Sequence, residues 1–358
     1  LIAAVDVLRD EIVASVGELI QIPSVNPRYP GEPYDELVGE EGRASRLLER
    51  LYARAGCTTD VFGLEPGREN CVGVLRGDGG GRSLILNGHV DVVPAGEAGL
   101  WRGSDPWSGA LEDGCIWGRG ATDMKAGLIA MAFAAIAVRE AGGRLAGDLV
   151  LEAVVGEETM EHGLGTTACI ERGYRADAAV VAEASAPPVP LAVITATPGV
   201  TRCVIEVEGR ATHPGLRGST IWPGGEGAAR GVSAIDRAVP VYHALGALER
   251  EWGMTKRHPL FAAGQFCVFP AVFVGSPRGR LDPFFIPDHA MLDCIVIHHP
   301  DDDPAAVRGE IEAAVAGVAA ADAWLRDHPP AVSWKHYWPP CQIDPGHPLV
   351  EVISAAHV

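Results

Sequence analysis

The sequence predicts an α/β protein of two domains: a mostly parallel sheet flanked by helices, and an inserted α+β domain of ferredoxin-like order. Three observations carry that expectation. Strand-like and helix-like patterns alternate up to about residue 196, the mark of a largely parallel core sheet. After "ITATPG" the order becomes strand, helix, strand, strand, helix, strand, as in a ferredoxin-like sandwich. The chain of 358 residues also exceeds one typical core.

The elements follow in order. Residues 1–22 read as an amphipathic helix, with helical periodicity over 3–21, ending at "IPSVNP". Further helices are expected over 40–56, 126–141 and 163–173. Short apolar runs over 70–75, 83–88, 148–155 and 177–183 read as interior strands. The stretch "AGLIAMAFAAIAV" (126–138) is apolar on every side but shorter than the ~20 residues that span a bilayer, so it reads as a buried helix. In the second domain "VTRCVIEVEGRATH" alternates like a half-exposed strand. A helix over 226–251, strands near 265–274 and 287–298, a helix over 304–325 and a last strand "AVSWKHYW" follow. "PPCQIDPGHPLVEVISAAHV" reads as the first domain resuming. The expected division is therefore 1–196 plus 339–358, with 197–338 inserted.

Composition narrows the function classes. A formal net charge of −18 argues against nucleic acid and against an anionic membrane surface, both of which need clustered Lys and Arg. Hydrophobic residues at 47% and charged residues at 21% describe an ordinary soluble protein. The eight cysteines are scattered with no Cys-x-x-Cys pair, which argues against a thiolate zinc site. They read as small buried hydrophobes in a reducing compartment. With no charged-then-apolar leader at the start, the expected location is the cytoplasm. "GDGGGR" lacks the strand-then-helix setting of a phosphate loop.

Chemistry collects at four places. In "LILNGHVDVVPAG" an apolar strand ends at His89 and Asp91, two positions apart and so on one face. His89 suits a metal ligand whose ring Asp91 orients, although His-x-Asp alone also describes a satisfied polar pair. In "IWGRGATDMKAG", Asp123 precedes the buried helix, where a lone Asp is usually an N-cap. In "LVLEAVVGEETMEHG" a strand runs into the adjacent Glu157 and Glu158, costly to bury together without a cation or proton. In "AAVVAEASAPP" a further apolar strand ends at Glu183. Functional residues of open α/β sheets sit at the carboxyl ends of strands. Three such ends and a helix start thus deliver one nitrogen and several oxygens, a donor set that suits zinc. Paired metals ~3.5–4 Å apart need a bridging carboxylate, capping ligands and a free general base. The sequence supplies every role but one.

On these motifs the chain resembles the dinuclear zinc amidohydrolases and exopeptidases: acetylornithine deacetylase, succinyl-diaminopimelate desuccinylase, aminoacylase and glutamate carboxypeptidase. "GHVDVVP", "WGRGATDMKAG", "GEETMEHGLGT", "AEAS" and "GRATHPG" occur in the family's order, across nearly the whole chain. The resemblance implies two Zn2+, with Co2+ or Mn2+ as substitutes. It implies that His89, Asp123 and Glu183 hold one ion, and that Asp123 bridges to a second, also held by Glu158. Asp91 then orients His89, and Glu157 is the general base. The Asp123–Met124 peptide bond is expected to be cis. Residues 197–338 are expected to be a lid and dimerisation domain, giving a homodimer in which His213 of "GRATHPG" reaches the partner's site and stabilises the oxyanion.

Two departures shape the expectation. The family's last metal ligand is a His downstream of "HPLVEVISAAHV". His347 and His357 lie near, but "PGHPLV" corresponds to the stretch before that ligand. The chain is thus expected to lack part of its C-terminal region and to hold its first zinc more firmly than its second. Many relatives also place an Arg on a lid strand to grip a substrate carboxylate, where this chain has Ile297; Arg217, Arg278 or Arg280 are the substitutes, or the substrate has no such group. The expected function is hydrolysis of the amide bond of an N-acyl amino acid or a related small amide. Glu183 leans that way, since the family's di- and tripeptidases tend to carry Asp there. The alternatives are a dipeptidase or carboxypeptidase, and a noncatalytic metal-binding relative, against which the unliganded Glu157 counts.

Overall fold

The computed structural model describes residues 1–185, 191–221, 225–278 and 280–356, and divides into two compact units, Leu1–Val193 and Ile194–Val358. His357 lies outside the described residues.

The first unit is built from helices α1 (Ile2–Ile20), α2 (Glu40–Ala55), α3 (Ala126–Glu140) and α4 (Thr166–Glu171). Its five strands are β1 (Thr58–Glu65), β2 (Arg68–Leu75), β3 (Leu84–His89), β4 (Leu149–Val154) and β5 (Ala178–Val181). The sheet order is β1-β2-β4-β3-β5. The expected parallel core is the trio β4-β3-β5, with Leu84 opposite both Leu149 and Ala178. The strands β1 and β2 join antiparallel. The strand β1, "TTDVFGLE", is not legible as an apolar run because none of its residues is fully buried.

All six residues of β4 are buried, Glu152 among them, which explains why it reads as an apolar run broken only by that glutamate instead of an alternation. Helix α3 is buried along most of its length, and Leu128, Ile129, Phe133 and Ile136 join Leu19, Leu48, Tyr52 and Leu151 in one core cluster. By length and composition the stretch Ala121–Glu140 could cross a membrane, but 56% of that window is buried inside the unit, as for a core helix.

At the start of α3, Gly127 lies against the end of β5. A Cβ there would stand 2.2 Å from the carbonyl oxygen of Ala182, beside Glu183. Gly127→Ala is expected to cost about 1–3 kcal/mol through overpacking. Denaturant midpoints of the two proteins check it; an unchanged midpoint would show that this close approach is not required.

The second unit carries β6 (Gly199–Glu208), α5 (Ala234–Thr255), β7 (Cys267–Ser276), β8 (His289–His298), α6 (Pro304–Ala321), β9 (Ala331–Trp338) and α7 (Pro348–Ala356). The sheet order β7-β8-β6-β9 is antiparallel throughout, the ferredoxin-like arrangement. Burial alternates along β6 and β8. Cys203, Ile205, Val207, Leu292, Cys294 and Val296 pack with Val241 and Leu245 of α5 and Val307 and Ile311 of α6. The helix expected over 226–251 is interrupted: Gly225–Arg230 forms a short helix, Val232 leaves it to bond Arg210, and Ser233 then caps α5. Residues 339–356, expected to resume the first domain, group here with the second unit. Cys341 pairs with Thr197, and Gln342 Oε1 lies 3.1 Å from His258 Nε2.

Candidate metal centre

Adjacent parallel strands end at the same edge of a sheet. β4, β3 and β5 therefore bring the turn after Val154, His89 itself and the residues after Val181 to one place. Asp123 arrives from the irregular turn Ala121–Lys125 that leads into α3; its bond to Met124 is cis. Met124 is buried beneath the site, and its sulfur accepts the backbone N–H of His89 at 3.1 Å. Gly88 leaves room for it, since a Cβ there would stand 2.4 Å from the Met124 methyl and the methionine would have to shift. Asp123 makes no N-cap bond, so the ordinary role of an Asp before a helix does not apply to it.

His89 organises the cluster. Its ring is 2% exposed. Nδ1 lies 2.7 Å from the backbone carbonyl of Asp91, which can only accept, so Nδ1 carries a proton. Nε2 faces Asp123 Oδ1 at 3.0 Å, Glu183 Oε1 at 2.9 Å and Glu157 Oε2 at 3.8 Å. A bare nitrogen lone pair aimed at carboxylate oxygens is repulsive. This geometry requires positive charge, either a second proton on the ring or a cation among the donors. Burial lowers the pKa of the ring, but hydrogen bonds to Asp123 and Glu183 and the charges of Asp91 and Glu157 outweigh it, pushing it to about 12. Burial first, and then the neighbouring acids, push the Glu157 and Glu158 carboxyls up to about 7, against the His89 charge.

The donors fall into two sets that share His89: His89 with Asp123 and Glu158, and His89 with Glu157 and Glu183. Within each set the ligand atoms lie within 4.8 Å of one another. One imidazole and several hard carboxylate oxygens, crowded enough to repel, fit a divalent cation such as zinc. The sets place Glu157 as well as Glu158 within ligand range.

Asp91 holds His89 through its backbone carbonyl, while its carboxylate Oδ1 is 3.6 Å from Nδ1. That carboxylate turns instead to the backbone amides of Glu157 at 3.3 Å and Glu158 at 3.1 Å. His213 belongs to the second unit, where its ring is exposed and Nδ1 accepts the Gly215 N–H at 3.0 Å. Its neutral form therefore carries the proton on Nε2. His347 is also in the second unit, capping its own turn through the Leu349 N–H. Ile297 is half-buried on β8, opposite Val200 and Cys267.

Sequence reading missed Asn26, Arg68, Thr159 and Glu161, which surround the turn carrying Glu157 and Glu158. "IPSVNP" and "GEETMEHG" show Asn26, Thr159 and Glu161 as ordinary turn residues, and Arg68 opens β2. Their pairing spans up to 133 positions, and no local pattern signals it.

Comparison with known proteins agrees with this geometry. The family described as Peptidase family M20/M25/M40 matches residues 85–357. The chain is 34% identical over 369 residues to the N-formyl-4-amino-5-aminomethyl-2-methylpyrimidine deformylase of Halalkalibacterium halodurans, covering 100% of this chain and 81% of that protein. It is 35% identical over 354 residues to the deformylase of the same name from Bacillus subtilis, covering 95% of this chain and 79% of that protein. The succinyl-diaminopimelate desuccinylase of a Methylobacterium species is 37% identical, but over 47% of this chain and 41% of its own length. Among solved structures, human carnosine dipeptidase 1 superposes with a TM-score of 0.67 at 17% identity, over 96% of this chain and 81% of that one, a likeness of fold.

Proposed function

The chain belongs to peptidase family M20/M25/M40 and is an amide-bond hydrolase, and from that premise we propose that it is a metal-dependent deformylase of a small N-formyl amine of the aminomethylpyrimidine kind. One observation carries the substrate class. The deformylases match 95–100% of this chain, whereas the desuccinylase of the Methylobacterium species matches 47%. Ile297, at the position where a carboxylate-gripping Arg is expected, is consistent with a substrate that has no carboxylate.

In this reading His89, Asp123 and Glu183 hold one divalent ion, and Asp123 and Glu158 a second. The ions are zinc, with cobalt or manganese as substitutes, and when bound they polarise the amide carbonyl and acidify water. Glu157 takes a proton from the attacking water and delivers it to the leaving nitrogen. Water oxygen joins the formyl carbon, the C–N bond breaks, and formate and the free amine leave. His213, in its Nε2–H form, donates to the developing oxyanion from a partner subunit.

The assembly is a homodimer through residues 197–338. Support comes from the edge strand β7, which leaves Phe269, Val272 and Phe273 exposed, beside exposed Val239 and Tyr242 of α5. We infer a cytoplasmic location from the eight cysteines, all of them free; cell fractionation tests it.

The test of function is a substrate panel: the N-formyl aminomethylpyrimidine, N-acetylornithine, succinyl-diaminopimelate and a dipeptide, each with the zinc-loaded protein. Formate release should exceed the other turnovers by about 10²-fold or more in kcat/KM, because the substrates differ at several groups and each mismatched contact costs about 10-fold or more. Preference for the succinylated or peptide substrate would overturn the assignment.

A further inference from the structure

The turn that presents Glu157 and Glu158 is held from behind. Asp91, fully buried, receives both of their backbone N–H groups and also Asn26 Nδ2 at 2.8 Å. Asn26 is itself fully buried. Its Oδ1 accepts the Arg28 N–H at 2.9 Å, which fixes which way the amide points. Nδ2 is then committed, one hydrogen to Asp91 and the other to Thr159 Oγ1 at 2.9 Å. Thr159 in turn donates to Glu161 Oε2 at 2.8 Å. The same oxygen accepts from Arg68 Nη1 at 2.9 Å. Arg68 has a fully buried side chain and is gripped on its other edge by both oxygens of the buried Glu41, at 2.5 and 3.0 Å. Glu161 N–H closes the turn onto the Gly156 carbonyl at 2.7 Å.

Two ends of one short turn are thus tied to rigid parts of the unit. Asp91 ties the front, at the end of β3. The Arg68–Glu41 pair ties the back, on β2 and α2. Asn26 joins them, since it bonds both Asp91 and Thr159. We propose that Asn26 is a positioning residue: it couples Asp91 to Thr159 and thereby holds Glu157 and Glu158 in place for proton transfer and metal binding. A fully satisfied buried network specifies one conformation, and a partly satisfied one does not. The partner of a metal-binding group commonly contributes 10–100-fold to metal affinity or activity.

The inference rests on the catalytic reading of Glu157 and Glu158, and its test separates the two. Asn26→Ala, Thr159→Val and Thr159→Ser are compared with the unsubstituted protein. Amide hydrogen exchange over 156–161 should accelerate in Asn26→Ala and Thr159→Val, while the amides of α3 keep their protection. In the zinc-loaded proteins kcat should fall about 10–100-fold with KM little changed, and zinc should be lost to a chelator more readily. Thr159→Ser, which keeps the hydroxyl, should recover most of the loss. Unchanged exchange over 156–161, or a loss confined to KM, overturns the role given to Asn26. Hydrolysis by the unsubstituted protein is read separately: its absence overturns the proposed function, while the exchange result still decides the inference.

Discussion

Glu157→Gln should keep its metal and lose about 10²–10⁴-fold in kcat, the range that a general base contributes. The substitution keeps the shape of the side chain and its place on the turn, so Asp91 still receives both backbone amides. It removes the negative charge and the ability to accept a proton. His89, Asp123, Glu158 and Glu183 remain as ligands. The structure makes this a sharp test, because Glu157 also lies in a donor set with His89 and Glu183. Zinc content and turnover measured on the same sample decide it. If zinc falls together with turnover, Glu157 is a ligand; if both stay, it has neither role. The same variant probes the partner's contribution. Mixed with His213→Ala and allowed to exchange subunits, it should form heterodimers in which one site has both intact residues, returning about a quarter of full activity. No recovery after verified exchange would count against His213 acting in the partner's site.

Removal of the metal should abolish turnover and lower the melting temperature by roughly 5–10 °C relative to protein holding zinc at about a hundred times its Kd. The physical cause is the crowding of carboxylates around one imidazole. Without a cation the cluster must be neutralised by protons. That is why burial and like charges push Glu157 and Glu158 up to about 7, and why carboxylate hydrogen bonds hold the His89 ring protonated. The sign follows for the metal-free protein. A group whose folded pKa is raised contributes stability that is present below its unfolded value and lost as pH rises through the folded one. For the two glutamates that window runs from about 4.5 to about 7. The stabilisation on adding zinc should therefore be larger at pH 8 than at pH 5.5, as protons cease to compete for the ligands. His89→Ala, which removes the shared nitrogen of both donor sets, should show little zinc-dependent shift at either pH. A shift that is equal at both pH values would mean that zinc binds elsewhere.

What the sequence determined by itself is the residue inventory and the order of its parts. The apolar runs of β3, β4 and β5 are short-range patterns, so their ends, and with them His89, Glu157, Glu158 and Glu183, could be read without a fold. The alternation along β6 and β8 similarly announced the ferredoxin-like unit. Only the tertiary structure decided how these residues divide the work. It turned the Asp91 carboxylate toward the amides of Glu157 and Glu158 and left His89 to the backbone carbonyl. It tied that turn to Asn26 and, through Thr159 and Glu161, to the buried Arg68–Glu41 pair. It also placed β1 and β2 antiparallel beside the parallel strands. The reason is range. Periodicity and strand ends are set by neighbours a few positions away, whereas a hydrogen bond between residues 133 positions apart depends on which strands become neighbours and at what register.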